Sequence, residues 1–270
     1  GIDIVALPAL YPMGSEKQLI EAVTGIQVPS GRLSADVGVL VQNVATCIAV
    51  FHALRFGRPL THRVITLSGD ALEEPTNVYA PIGMPISEII SQCGGLKSTP
   101  ERIVLGGPMM GRVLPDTDQP VTKTTSGLLV LPPDHNVVAR KVMDPAKVRR
   151  ITNTVCCQCS QCTDLCPRNL LGHSLHPHKL MRVLNGQTLE QPIAKEALLC
   201  SECGICEKFA CPMGISPREV NALLKKELMG AGMKWEYDGR PLTPSRFREE
   251  RRIPTSRLVK RLGLDRKSVV

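Results

Sequence analysis

Apolar positions at helical spacing begin shortly after the amino end of the chain. Ser15 and Gln18 are placed as a capping box for a helix from about Glu16 to Thr24, and Gly25 is placed to end it. The glycine and proline that follow indicate a loop. This opening segment therefore predicts a loop, a short helix and a second loop.

A second helix is predicted from about Gln42 to Arg55. Its apolar residues recur every three or four positions, at Val44, Cys47, Ile48, Phe51 and Leu54. Because Cys47 lies on this apolar face, we expect it to be a core residue rather than a metal ligand.

The period changes after Pro59. Strands are predicted over residues 64–69 and 77–81, a helix from about Pro85 to Cys93, and another strand over 102–107. Two strands, a helix and a strand within about 50 residues indicate a compact α+β unit of the β-grasp kind. Cys93 closes the helix and is expected to pack there.

A further apolar strand is predicted over 124–131, and the chain turns helical after about Lys141. One helix is predicted over 177–184. Ser216, followed by proline, predicts the N-cap of another helix that runs to about Leu228. From Gly239 onward, proline and charge predict an extended tail.

Composition places the chain among soluble globular proteins. It has 270 residues, 43% hydrophobic and only 3% aromatic, so aliphatic side chains must supply most of the core. No apolar run approaches the length that spans a bilayer, so no transmembrane segment is expected. Part of the net charge of +8 is concentrated in the last 25 residues, as Arg246, Arg248, Arg251, Arg252, Arg257, Lys260, Arg261, Arg266 and Lys267.

This basic segment contains one aromatic residue, Phe247, rather than a series of interleaved aromatics, and it has no nucleic-acid-binding motif. No nucleic-acid partner is therefore expected. A solvated tail, or a tail docked on an acidic partner protein, is the preferred interpretation.

Eight of the 11 cysteines form two runs, Cys156-x2-Cys159-x2-Cys162-x3-Cys166-Pro and Cys200-x2-Cys203-x2-Cys206-x4-Cys211-Pro. This is the ligand spacing of [4Fe-4S] clusters. Zinc knuckles also use Cys-x2-Cys, but zinc needs only four tetrahedral ligands and does not explain a third cysteine or the proline. A disulfide framework is disfavoured because no signal segment is evident. Two clusters that move single electrons are therefore predicted.

In two-cluster ferredoxins the fourth cysteine of each run binds the other cluster. We therefore assign Cys156, Cys159, Cys162 and Cys211 to one cluster, and Cys166, Cys200, Cys203 and Cys206 to the other. Cys157 is interpreted as a bystander, since only Cys156 gives the x2 spacing. The x4 gap before Cys211 indicates one extra residue in that turn.

Charged and imidazole side chains lie close to these runs. Arg168 and Lys208 are placed to raise a cluster potential locally. His173, His176 and His178 follow the first run, and two interpretations stay open for them. They bind a metal or serve as an axial base to cobalt, or they cap and cover the start of a helix.

Beyond the cysteines, the chain resembles a known family. Tyr11-Pro-Met-Gly-Ser-Glu-Lys-Gln, Val28-Pro-Ser-Gly, Ala35-Asp-Val-Gly and Val41-Gln-Asn-Val resemble the C subunit of Rnf complexes, which is similar to the flavin subunit of complex I. The unit after Pro59 resembles an SLBB domain. Residues 166–173 and 177–182 resemble most the cobalamin reductases of propanediol-utilisation microcompartments.

The resemblance implies an α+β multidomain fold in five segments. These are the rear part of a complex I flavin-subunit-like α/β domain (1–58), a β-grasp SLBB domain (59–115), a return strand or linker (116–140), a helical ferredoxin-like domain with two [4Fe-4S] clusters (141–235) and a basic extended tail (236–270). It implies that Gly14, Glu16, Lys17 and Asn43 line the FMN side of the flavin domain. The family's glycine-rich loop would precede residue 1, so we expect a truncated chain that does not bind FMN or NADH tightly alone.

The function implied is transfer of electrons from NADH through FMN and two [4Fe-4S] clusters to corrinoid cobalt. The implied partners are cobalamin, a cobalamin adenosyltransferase and a microcompartment shell protein, and the implied location is the cytoplasm, inside a bacterial microcompartment. Two alternatives remain, namely the C subunit of an Rnf-type electron transport complex and a fragment whose clusters are only structural.

Overall fold

The computed structural model describes residues 1–97, 102–183 and 191–264. These residues form two compact units. The first unit comprises Gly1–Val41 and Met143–Arg261, and the second comprises Gln42–Val142 and the chain from Leu262 onward.

In chain order, the strands are β1 (Leu10–Tyr11), β2 (His62–Ser68), β3 (Thr76–Pro81), β4 (Arg102–Leu105), β5 (Arg112–Val113), β6 (Gly127–Leu131) and β7 (Ile253–Pro254). The helices are α1 (Glu16–Thr24), α2 (Val44–Phe56), α3 (Ile86–Gln92), α4 (Asn136–Lys141), α5 (Pro145–Val155), α6 (Gln161–Asp164), α7 (Pro167–Leu170), α8 (Pro177–Val183), α9 (Pro192–Lys195), α10 (Pro217–Gly230), α11 (Arg248–Arg251) and α12 (Thr255–Leu262). Two 3-10 turns (Ser34–Val37 and Glu196–Leu199) and a π-helical turn (Cys206–Ala210) complete the elements.

The second unit is built on a five-stranded sheet in the order β3-β2-β6-β4-β5. β2 pairs with β3 antiparallel and with β6 parallel, so that Thr66 lies opposite Gly127. The strand predicted over 124–131 is thus a central strand of the sheet that also holds the predicted β-grasp strands. Residues 128–131 are buried on both faces, which is typical of a strand with neighbours on each side.

Helix α3 packs on this sheet through Ile86, Ile89 and Ile90. Cys93 lies at the end of α3 and is only 5% exposed, which confirms the prediction that it packs there. Gly69 has a positive φ of 118°, and a Cβ at this position would lie 2.0 Å from the Val130 carbonyl oxygen. Only glycine permits this close approach of the two backbones.

Helix α2 begins two residues later than predicted and ends one residue later. None of its residues is buried, and Cys47 is exposed, so the prediction that Cys47 is a core residue was wrong. The reason is that the apolar side chains of α2 have no covering layer in the described part of the chain. Its exposed large residues are Val44, Ile48, Val50, Phe51, Leu54 and Phe56.

The first unit is mostly helical, as predicted for the chain around the cysteine runs. Its core packs α5, α8 and α10 through Val148, Leu180 and Leu224. The predicted helix over 177–184 is observed as α8 up to Val183, and Leu184 lies outside the described residues. Helix α10 extends two residues beyond its predicted end.

Both serines predicted as helix caps stand at the N-cap position, but neither makes the capping bond. Ser15 gives no side-chain bond to α1, and the Gln18 side chain is buried instead of reaching back. Ser216 precedes α10, yet its hydroxyl is buried without a partner among the described residues. The predicted capping box is therefore wrong, although the start of each helix is correct.

The segment predicted as an extended basic tail folds instead. It forms α11, β7 and α12, and β7 pairs antiparallel with β1 so that Tyr11 lies opposite Ile253. The Arg248 guanidinium makes a two-pronged ion pair with the Glu21 carboxylate. Ile253 is 3% exposed, so apolar residues between the charges anchor the segment. Arg266 and Lys267 lie outside the described residues.

Among the helices of the described ranges, none combines the length and apolar character needed to cross a membrane.

Candidate iron-sulfur centre

Five cysteines line one cavity in the first unit. Four of them belong to the two spaced runs, namely Cys156, Cys159, Cys162 and Cys211, and we call these four the outer site; the fifth is Cys157. The cavity encloses about 320 Å³ of empty space, part of it open to solvent. Cys162 is buried, whereas Cys156 and Cys211 are half-buried and Cys159 is exposed. The outer site therefore has one edge at the protein surface.

The other four cysteines surround a second cavity, which we call the inner site. They are Cys166, Cys200, Cys203 and Cys206. This cavity encloses about 300 Å³, and none of the four cysteines is more than 9% exposed. The two cavities thus group the cysteines in the way that the crossover interpretation expects.

The two cysteine loops share one backbone conformation. Gln158 and Glu202 each lie two residues after the first cysteine of a run, and both have φ of 55°. Ser160 and Gly204 each follow the second cysteine, with φ of 63° and 81°. Positive φ is uncommon for residues other than glycine. The repeated left-handed turns bring successive thiols to face the same cavity.

Buried cysteine thiols, among them Cys162 of the outer site and Cys203 and Cys206 of the inner site, have raised pKa values and resist ionisation. Burial, followed by the neighbouring Cys211 and Cys156, raises the pKa of Cys162 to about 12. Burial, together with the neighbouring Cys200, raises the pKa of Cys203 to about 11. Hydrogen bonds to the Cys203 sulfur act in the opposite direction and keep the pKa from rising further. Burial also raises the pKa of Cys206 well above its usual value. Thiolates crowded in this way require positive charge at the centre of the cavity, as a metal group supplies.

The donor set fits an iron-sulfur cluster. The inner cavity is lined by four cysteines, and the outer cavity is lined by the four outer-site cysteines together with Cys157. Within the described ranges, no three His, Cys, Asp or Glu side chains have the geometry to hold a single metal ion. A cube of iron and sulfide takes four thiolates spread around it, which matches the arrangement of these cysteines.

Hydrogen-bond donors reach the sulfurs of both sites. The Gln158 side-chain amide lies 3.2 Å from the Cys156 sulfur of the outer site. At the inner site the Glu202 backbone N–H and the Asn221 side-chain amide donate to the Cys200 sulfur, at 3.3 Å and 3.7 Å. Sequence reasoning missed Asn221. The available signal was a polar residue on the apolar face of α10, between Val220 and Leu224.

The two cations predicted to raise a cluster potential differ in their surroundings. Arg168 lines the inner cavity, and the Cys166, Cys200 and Cys203 sulfurs are among its electrostatic neighbours. The Lys208 ammonium is buried and lies 2.9 Å from the Glu207 carboxylate. The charge of Lys208 is therefore offset locally by Glu207.

The residues expected on the FMN side do not all lie in one unit. Gly14 and Glu16 are exposed at the start of α1. The Lys17 ammonium donates to the Val28 and Pro29 carbonyl oxygens, and burial lowers its pKa to about 8. Asn43 lies in the second unit, where its side chain caps α2 by accepting from the Ala45 N–H.

Each of the three histidines has its own protein partner. His173 is 2% exposed and is bonded to the Ser30 hydroxyl at 2.7 Å. His176 contacts the Glu196 carboxylate, and His178 is bonded to Thr163. The three imidazoles form no metal-binding group among the described residues. This arrangement favours the structural interpretation, with His176 and His178 at the start of α8.

Cys157 is exposed, and it lines the outer cavity next to Cys156. The interpretation of Cys157 as a bystander rests on its spacing in the sequence and stays a prediction.

Family models match three parts of the chain. Residues 1–52 match the Nuo51 FMN-binding domain, residues 64–113 the SLBB domain, and residues 155–216 the 4Fe-4S dicluster domain. The last match contains all eight cysteines of the two sites. The fold class expected from the sequence is thereby confirmed.

Curated relatives extend the similarity along the chain. Cobalamin reductase PduS of Citrobacter freundii is 43% identical over 266 residues, which is 98% of this chain and 58% of the relative. The same protein of Salmonella typhimurium gives equal values. The C subunit of the ion-translocating oxidoreductase complex of Pseudomonas aeruginosa is 43% identical over 173 residues, which is 64% of this chain and 21% of that relative.

The chain therefore spans about 58% of the length of the first two relatives. The resemblance drawn from the sequence is confirmed: the chain is similar over nearly its whole length to cobalamin reductase PduS, and its segments match a Nuo51 FMN-binding domain, an SLBB domain and a 4Fe-4S dicluster domain.

Proposed function

We propose that the protein containing this chain is a flavin and iron-sulfur oxidoreductase that reduces corrinoid cobalt with electrons from NADH. The observation that carries the proposal is the pair of cysteine-lined cavities, one lined by five cysteines and the other by four, within a segment that matches a 4Fe-4S dicluster domain. The similarity to cobalamin reductases supports cobalamin as the acceptor.

We assign the binding roles as follows. The outer-site and inner-site cysteines each hold one [4Fe-4S] cluster, while Gly14, Glu16, Lys17 and Asn43 belong to the FMN side. When bound, FMN would accept the hydride of NADH and the clusters would carry its electrons singly. The first four segments of the division, residues 1–58, 59–115, 116–140 and 141–235, are also part of the proposal.

Proximity of the two sites supports a relay. Cys162 of the outer site is among the electrostatic neighbours of Cys206 of the inner site. The π-helical turn that begins at Cys206 contacts α6, which contains Cys162. Neighbouring cavities of this kind suit transfer of an electron from one site to the other.

The test is anaerobic reduction of cobalamin by the full-length protein that contains this chain. With NADH and FMN present, the visible absorbance should report conversion of cob(III)alamin or cob(II)alamin to a lower state. Cys203→Ser should abolish this turnover, whereas Cys157→Ser, a matched exposed cysteine, should retain it. Absence of turnover by an unsubstituted protein with full iron, sulfide and flavin content would reject cobalamin reduction.

The C subunit of an Rnf-type complex is the second candidate. The observation in its favour is the 43% identity to the Pseudomonas aeruginosa protein over 173 residues. Co-purification with integral membrane subunits would support it. Co-purification with a cobalamin adenosyltransferase and a shell protein would instead support location inside a cytoplasmic microcompartment.

Purely structural clusters are the third candidate. Electron paramagnetic resonance of the anaerobically reduced protein separates this candidate from a relay, because a relay requires clusters that accept and release electrons reversibly.

A further inference from the structure

Burial makes the addition of an electron to a cluster in the inner site energetically unfavourable. All four of its cysteines are buried, whereas Cys159 of the outer site is exposed. A cluster held by four thiolates is anionic, and burial removes the water that would stabilise additional negative charge. Burial alone would therefore make the inner cluster the harder of the two to reduce.

The side-chain amide of Asn221 supplies a dipole that opposes the effect of burial on the inner cluster. Its side-chain N–H donates to the Cys200 sulfur, and the residue is 0% exposed. Its amide oxygen has no hydrogen-bond partner in the described part of the chain. An unpaired buried amide oxygen lowers the stability of the fold. The fold alone therefore gives no reason for an amide at this position of α10.

Arg168 supplies a charge that acts in the same direction. Its guanidinium lines the inner cavity, with the Cys166, Cys200 and Cys203 sulfurs as electrostatic neighbours. The Arg168 Nε atom is buried without a hydrogen-bond partner among the described residues. The Glu16 carboxylate is also an electrostatic neighbour of Arg168, but its effect is smaller than that of each of the three sulfurs. The charge of Arg168 therefore acts mainly on the inner site, whereas the charge of Lys208 is offset by Glu207.

We propose that Asn221 and Arg168 are positioning residues that raise the reduction potential of the inner cluster and so compensate for its burial. Hydrogen bonds to cluster sulfur and nearby positive charge both stabilise the reduced, more negative cluster. The inference rests on the proposed function only in requiring a cluster at the inner site. It is independent of flavin, NADH and cobalamin.

The experiment is a redox titration of the whole chain, reconstituted anaerobically with iron and sulfide and reduced with dithionite. Electron paramagnetic resonance follows each cluster, and the signal lost in Cys203→Ser identifies the inner one. In Asn221→Leu and in Arg168→Gln, the ratio of reduced to oxidised inner cluster at a fixed potential should fall about tenfold. This corresponds to about 59 mV toward negative potential for a one-electron couple.

Two matched controls accompany these variants. Arg168→Lys keeps the charge and should recover most of the loss seen in Arg168→Gln. Gln158→Leu removes the equivalent amide donor at Cys156 and should shift the outer cluster while sparing the inner one. Asn221→Leu should also keep or raise the unfolding temperature, because it removes a buried unpaired oxygen.

The inference is overturned if the variants retain full iron and sulfide but leave the inner potential unchanged, or shift both clusters equally. If Asn221→Leu loses the inner cluster, Asn221→Ser, Arg168→Gln and Arg168→Lys are titrated instead. An unchanged potential of the inner cluster in Asn221→Ser and Arg168→Gln would then overturn the inference. Failure of cobalamin reduction alone would count against the proposed function and not against this inference, since dithionite is the reductant.

Discussion

The hydroxyl of Tyr11 donates a hydrogen bond of 2.7 Å to the carbonyl oxygen of Cys203, although 192 positions separate the two residues along the chain. Tyr11 belongs to the segment that matches the FMN-binding domain, and Cys203 belongs to the inner site. Both residues lie in the first unit. One hydrogen bond thus joins the flavin-domain segment to the cysteine loop that we assign to the inner cluster.

Replacing Tyr11 with Phe should destabilise the first unit and loosen the inner loop. The substitution leaves the Cys203 carbonyl oxygen without this donor, at a cost of about 1 kcal/mol in the free energy of unfolding. Denaturant unfolding of the reconstituted chain measures this cost. Tyr79→Phe is the matched control, because Tyr79 is 72% exposed, and it should leave stability unchanged. Equal stability of the two variants would contradict a role for the Tyr11 bond.

Loss of one inner-site cysteine should remove one cluster and spare the other. The unsubstituted chain should contain about eight iron and eight sulfide ions after anaerobic reconstitution, as two cubes require. Cys206→Ser should reduce both to about half, while Cys157→Ser and Cys47→Ser should change neither. Iron and acid-labile sulfide assays make the measurement. Stoichiometric zinc without sulfide would overturn the cluster assignment.

His173 should make the first unit less stable in acid. Burial, aided by Arg168 and Lys17, lowers the pKa of His173 from 6.5 to about 3. The unfolded chain therefore binds the proton more readily, and folded stability falls as pH drops from about 6.5 toward 3. The expected loss between pH 7.5 and 5.5 is about 1 kcal/mol.

Urea unfolding at these two pH values tests the His173 effect. His173→Gln should remove most of the pH-dependent difference, whereas His52→Gln, at an exposed position, should retain it. If His173→Gln loses as much stability between pH 7.5 and 5.5 as the unsubstituted chain, groups other than His173 cause the acid sensitivity.

The ion pair of Arg248 with Glu21 should anchor the folded carboxyl-terminal segment. The two side chains are only 14% and 15% exposed, so removal of one charge leaves the other poorly solvated. Arg248→Gln should therefore reduce stability by about 2 kcal/mol. Arg240→Gln breaks the exposed pair with Asp238 and should leave stability almost unchanged. Thermal unfolding compares the two variants, and similar losses would contradict an anchoring role.

Local patterns in the sequence predicted the elements well. The positions of Ser15, Gln18 and Gly25 predicted the bounds of α1, and proline after Ser216 predicted the start of α10. The same patterns failed where a prediction depended on a distant partner. Cys47 lies on an apolar helix face that stays exposed, and the charged residues after Gly239 gave no sign that Ile253 and the Arg248 pair would fold that segment.

The sequence by itself determined the chemistry of the candidate centre. Cluster ligands are thiols at short and regular spacing, and the two cysteine runs have this spacing. Tertiary structure decided the environment of those thiols. The burial of the inner site, the approach of Asn221 to Cys200 and the bond from Tyr11 to Cys203 join residues that are far apart in sequence. Their proximity depends on how helices pack, and no local pattern of residues encodes it.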